Sequence, residues 1–108
     1  MKFTIQCPIF KQPINVVFKD DISDLIKKHD LINTETTTAF VYRSPVEDNL
    51  YLVLKPSRFS IGILVHEVVH LVNMMFDYVN QDLDLKNDEF QAYYTQYLFE
   101  QIFKKLKL

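Results

Sequence analysis

Scarcity is the first thing to read in this 108-residue chain. It holds one cysteine, Cys7, so no disulfide can form within it and nothing marks an oxidising compartment. Charge of either sign is nearly absent in net terms: the formal charge is −2, with acids and bases interleaved. That excludes the basic footprint of a nucleic-acid binder and the polybasic patch of a membrane-surface protein. The terminal Lys104-Lys105-Leu106-Lys107 reads as a solvated helix end, where cations favour the macrodipole. Long apolar runs are missing too, so no membrane span is expected. The start of the chain alternates like a strand and lacks the apolar core of a signal peptide, which makes a cytoplasmic location the expectation. Repeats, low-complexity tracts and linkers are absent, so residues 1–108 read as one domain.

What is present is the material of a packed core. Hydrophobic residues make up 48% of the chain, with nine Phe and six Tyr, which separates it from disordered sequences. The first half reads as strands with one helix. Residues 3–9 and 14–18 are short strands around Pro8 and Pro13, which suit an edge or a bulge. Asp20 and Asp21 open a helix that runs to about His29, itself expected to be a solvated residue near a helix end. Residues 36–43 and 50–55 are β-rich and joined by the turn-forming stretch 44–49. The second half is helical: Ser60 is an N-cap for a helix over 61–79, and Asn87 caps a last helix from Asp88 to about Lys105. The expected fold is α+β, a small antiparallel or mixed sheet packed with two long helices.

The first long helix carries His66-Glu67-Val68-Val69-His70. Residues four apart share a helical face, so both imidazoles can reach one metal ion with Glu67 beside it. Shuffling this composition would produce His-Glu-x-x-His only about 0.3% of the time. At 100° per residue His66, His70, Asn73 and Asp77 form one narrow polar stripe, and the apolar remainder predicts a helix buried on most sides. Buried imidazoles and a carboxylate need partners, and a metal is one that fits. A catalytic zinc site takes three protein ligands and leaves a fourth position open. A third ligand six residues after His70 is excluded, because Phe76 stands there. Glu89, separated from His70 by eighteen residues, is the better candidate, with Asp77, Asp84 and Asp88 as rivals. Tyr93, Gln96 and Glu100 share its face of the last helix, a polar face suited to oppose the histidines.

These pieces resemble the gluzincin metallopeptidases, the thermolysin-like group with a His-Glu-x-x-His helix and a glutamate ligand on a later helix. The resemblance covers about residues 60–100, and the preceding strands are similar to the small sheet of such enzymes. Short chains of this kind also look like minimal peptidases encoded by phages and mobile elements. The resemblance implies a zincin-like domain with Zn2+ on His66, His70 and Glu89, and Glu67 as general base for a zinc-bound water. A peptide or protein would be the substrate. Two features depart from the pattern. Tyr93 stands where an Asp usually orients the first histidine, so Asn73 or Asp77 would have to assist. The chain also lacks the second domain that supplies an oxyanion stabiliser, leaving Tyr93, Tyr94 or Tyr97 as candidates, although such tyrosines more often serve as core and rim packing.

The strand at 50–55, just before the motif, is the expected partner for an extended peptide added by β-pairing. Cys7 is expected to be a small buried hydrophobe. A zincin-like binding or assembly module without turnover is the competing expectation. Nothing in the chain defines a specificity pocket or an oligomeric state.

Overall fold

A computed structural model describes residues 1–7, 12–32 and 37–108. The elements run β1 (Lys2–Gln6), β2 (Pro13–Phe18), α1 (Ser23–His29), β3 (Ala39–Arg43), β4 (Leu50–Leu54), a short 3-10 turn at Pro56–Arg58, α2 (Ile61–Tyr78) and α3 (Glu89–Leu106). The class is α+β, as the sequence pattern implies. The parts of the expected strands that fall on residues 8, 9 and 36 lie outside the described residues. Pro13 begins its strand, a position that tolerates a missing N–H.

The four strands form one mixed sheet in the order β1-β2-β4-β3, with β2 and β4 parallel and both outer pairs antiparallel. Every residue of β4 is buried, because it has a strand on each side and helices over both faces. Side-chain alternation sorts the two faces. Ile14, Val16, Leu50, Leu52 and Leu54 join Leu64, Val68, Leu71, Met75, Leu98 and Ile102 in the main core beneath α2 and α3. Val17, Tyr51 and Val53 face the other way and pack with Ile22 and Leu25 under α1. A helix pair, a sheet and a single helix therefore make three layers. Cys7 is fully buried, as expected of a small hydrophobe.

Two expectations are corrected here. β4 is hydrogen-bonded on both edges, so it has no edge to offer a peptide; among the described residues β3 is paired on one side only. His29 is not solvated. It ends α1 with 1% of its surface exposed, because that helix end tucks under the sheet. Its Nδ1 lies 2.7 Å from the Tyr42 hydroxyl and its Nε2 3.5 Å from a Glu47 carboxylate oxygen. Tyr42 stacks on Tyr51, which donates its hydroxyl to Glu47 at 2.8 Å.

Glu47 thus anchors the β3–β4 turn to α1, and Lys28 and Tyr51 together pull its carboxyl from 4.5 down to about 2. A carboxyl depressed in the folded state stabilises fully above its unfolded value and loses that contribution as pH falls through the folded one. Thermal stability should therefore decline between about pH 4.5 and 2. Asp20, Asp21 and Asp24 are lowered as well and act in the same direction. Glu47→Gln should flatten part of that decline in a melting-temperature series across pH. An identical pH profile in the variant would remove Glu47 from the account.

Candidate metal centre

The helix that carries the motif is specified locally. Ser60 Oγ accepts from the Ile63 N–H at 3.1 Å, the expected N-cap, and eighteen residues free of proline follow. Asn80 ends it in the left-handed region, with its own N–H bonded to the Asp77 carbonyl and the Gln81 N–H reaching back to Phe76. α3 begins differently from the expectation: Asp88, not Asn87, flanks its first turn, and no side chain caps it.

His66 and His70 sit one turn apart on the exposed side of α2, with Nε2 atoms 3.2 Å from each other. Two neutral imidazoles can share one proton at that distance. It also matches the edge of a zinc tetrahedron, where Zn–N bonds of about 2.0–2.1 Å place two nitrogens about 3.3–3.4 Å apart. One ligand atom from each of His66, Glu67 and His70 lies within 4.8 Å of the others, close enough for a single ion. Two imidazoles are donors that zinc accepts, and the Glu67 carboxyl stands beside them.

Glu67 differs from its neighbours in being only 5% exposed. Burial pushes its carboxyl up, while the flanking imidazoles of His66 and His70 oppose that shift. It makes no hydrogen bond among the described residues, yet it opens onto two clefts that it shares with His70. One cleft, of about 710 Å³, is lined further by Thr37, Thr38, Ala39, Ser60, Gly62, Ile63 and His66. The other, of about 410 Å³, is lined by Phe40, Val41, Asn73 and Met74. A carboxylate held with little water and no fixed donor is suited to accept a proton from a molecule that enters.

β3 forms the opposite wall. Its residues 39 and 41 pack toward α2 in the main core. At its far end the Arg43 guanidinium bonds to Asp48 and lies 4.5 Å over the ring of Tyr78. The strand therefore runs alongside α2 in the same direction, from the Ser60 end to the Tyr78 end.

The remaining expected residues are not brought to this place. Glu89 is the first residue of α3 and is exposed, as are Tyr93, Gln96 and Glu100 on the same face. That face looks to solvent and does not oppose the histidines. The reason is energetic: α3 buries Tyr94, Leu98, Ile102 and Leu106, and the polar face must point away. Phe90 packs on Phe76 near the end of α2, whereas His70 and His66 stand six and ten residues before Phe76. Asn73 lines the second cleft beside His70, but Asp77 and Tyr93 are not among the lining residues of either cleft. Tyr97 is 38% exposed and Tyr93 67%, so those two are rim residues, while Tyr94 belongs to the core. The expectation that α2 is buried on most sides is also corrected, since Ile61, Val65 and Val69 are each more than two-fifths exposed.

What sequence reasoning missed is the contribution of β3, which precedes β4 in the chain. Ala39 and Val41 alternate with aromatic residues, a signal for a two-faced strand, but nothing local says that it is the edge. No protein-family model matches the chain, and no curated protein or solved structure matches it either. No helix is long and apolar enough to cross a membrane among the described residues.

Proposed function

We propose that the chain is a small zinc-dependent peptidase in which His66 and His70 hold the ion and Glu67 is the general base. The observation that carries this reading is the convergence of the His66 and His70 Nε2 atoms, 3.2 Å apart, with a buried carboxylate that opens on the same cleft. Zinc, when bound, supplies Lewis acidity that polarises a carbonyl oxygen and acidifies water. Glu67 then takes a proton from the attacking water as its oxygen bonds to the acyl carbon. The same carboxyl passes that proton to the nitrogen as the C–N bond breaks, which leaves a carboxylic acid and an amine that end as carboxylate and ammonium once the acid's proton moves to the amine. Among the described residues the outer edge of β3 is unpaired, which supports an extended peptide as the substrate, since a strand added there would lie along both clefts. The single buried cysteine supports a cytoplasmic setting, and no helix among the described residues is long and apolar enough to cross a membrane.

The test is a direct one. Protein loaded with one equivalent of zinc should hydrolyse an unstructured protein substrate, a chelator should stop it, and added zinc should restore it. Stoichiometric zinc with no hydrolysis of any substrate would sink the peptidase reading. A second reading, a zinc-holding module without turnover, is favoured by one observation: the solvent-facing position of Glu89 leaves the ion with fewer protein ligands than the resemblance implies.

A further inference from the structure

The two clefts that meet at Glu67 and His70 differ in chemistry, and the difference carries information about what lies in them. The cleft toward the Tyr78 end of α2 has Val41 and Met74 in its lining, with Asn73 as its uncharged polar member. No side chain there, apart from Glu67 and His70, carries charge. Met74 is half-buried and packs against the main core, so its thioether borders the cleft from a fixed base. A thioether on a flexible stem adapts to apolar groups of different shape.

The cleft at the Ser60 end is built oppositely. Its lining is dominated by small side chains: Thr37, Thr38, Ala39, Ser60 and Gly62. Gly62 is instructive because neither backbone nor packing calls for glycine there. No glycine in the described chain has positive φ, and a Cβ added at 62 would meet only Ser60 Oγ, at 3.8 Å. Ala is the better helix former at such a position. The effect of glycine at 62 is to leave this end of the cleft open.

Direction follows from the strand. β3 runs from the small-residue cleft toward the Val41/Met74 cleft, and antiparallel pairing is the more stable way to extend its edge. A peptide added antiparallel enters with its N-terminal part beside Val41 and Met74. Its C-terminal part then leaves past Ala39 and Gly62.

Building on the peptidase reading above, we infer that the substrate is an extended peptide with an apolar side chain on the N-terminal side of the cleaved bond and a bulky one tolerated on the C-terminal side. Met74 and Gly62 are the residues that set the two preferences. Glu67 lies between them, where the bond would be cut.

A quenched-fluorescence peptide library, cleaved by the zinc-loaded protein and read by mass spectrometry, tests this. Wild-type protein should favour Leu, Met or Phe immediately N-terminal to the cut by about tenfold in kcat/KM over Asp or Lys. Met74→Lys should shift that position toward Asp and Glu. Gly62→Leu should lower kcat/KM selectively for peptides with Phe or Tyr C-terminal to the cut, with a melting temperature equal to or above wild type. Circular dichroism and zinc stoichiometry on both variants separate altered selectivity from loss of the fold. Cleavage without an apolar preference on the N-terminal side, or a Gly62→Leu profile identical to wild type, overturns the subsite assignment and leaves the peptidase reading standing. A wild-type protein that holds zinc and cuts no peptide in the library overturns both.

Discussion

Replacing Glu67 with Gln is expected to lower peptide hydrolysis by ~10²–10⁴-fold, the usual contribution of a positioned general base. In free energy that is about 3–5.5 kcal/mol of barrier. The amide keeps the shape of the carboxyl but cannot accept the proton of an attacking water. The two imidazoles are untouched, so one equivalent of zinc should still bind. Stability gives a third readout with a definite sign. Glu67 is 5% exposed and burial already disfavours its charged form, so the neutral amide should leave the melting temperature unchanged or raise it. Steady-state kinetics, metal analysis and a melting curve on one preparation check all three. Undiminished turnover would remove Glu67 from the mechanism. Undiminished turnover in a protein that also binds no zinc would remove the metal as well.

The second large effect is expected from the double variant His66→Ala/His70→Ala. Wild-type protein at a zinc concentration 100-fold above its dissociation constant gains about 2.7 kcal/mol of stability by mass action. For a domain of this size that corresponds to roughly 10–20 °C in melting temperature. The double variant should show no zinc-dependent shift at all. Its apo melting temperature should stay close to that of the wild-type apo protein, because both rings lie on the exposed side of α2 and neither is part of the core. The loss of affinity should exceed the ~10–100-fold typical of removing an outer partner of a metal ligand. Titration calorimetry and differential scanning fluorimetry provide the measurement. A double variant that retains the full thermal shift would place the zinc elsewhere. One that fails to fold without zinc would make the two histidines structural.

Glu89 adds a discriminating control. On α3 it faces solvent with Gln96, whose amide donates to Glu100 at 2.7 Å on the same polar face. The arrangement gives Glu89 the role of a first-turn acid that favours the helix dipole. The thermolysin-like resemblance, by contrast, would make it a ligand.

How much could be read from the residues alone differs from feature to feature, and the division is physical. The strand and helix positions follow from short-range patterns: alternation in β1, the β-rich run of β4, the Ser60 cap, and the acids that open α1. The turn at 44–49 was equally legible, and Ser44 Oγ accepts from the Val46 and Glu47 N–H groups to close it. His29 was not legible. A histidine at the basic end of a short helix looks solvated until a sheet with Tyr42, Tyr51 and the Glu47 turn is laid against it. The free edge was hidden for a similar reason. β4 precedes the motif in sequence, but the crossover from β2 inserts it between two strands and leaves β3 outside.

The approach of His66 to His70, with Glu67 between them in sequence, was settled by the chain itself, because side chains four apart on a helix meet whatever surrounds them. The rotation of α3 about its axis was not. No local rule weighs its polar face, with Glu89, against its apolar one. Only the packed sheet does so, by burying Tyr94, Leu98, Ile102 and Leu106 and turning the carboxylate to water.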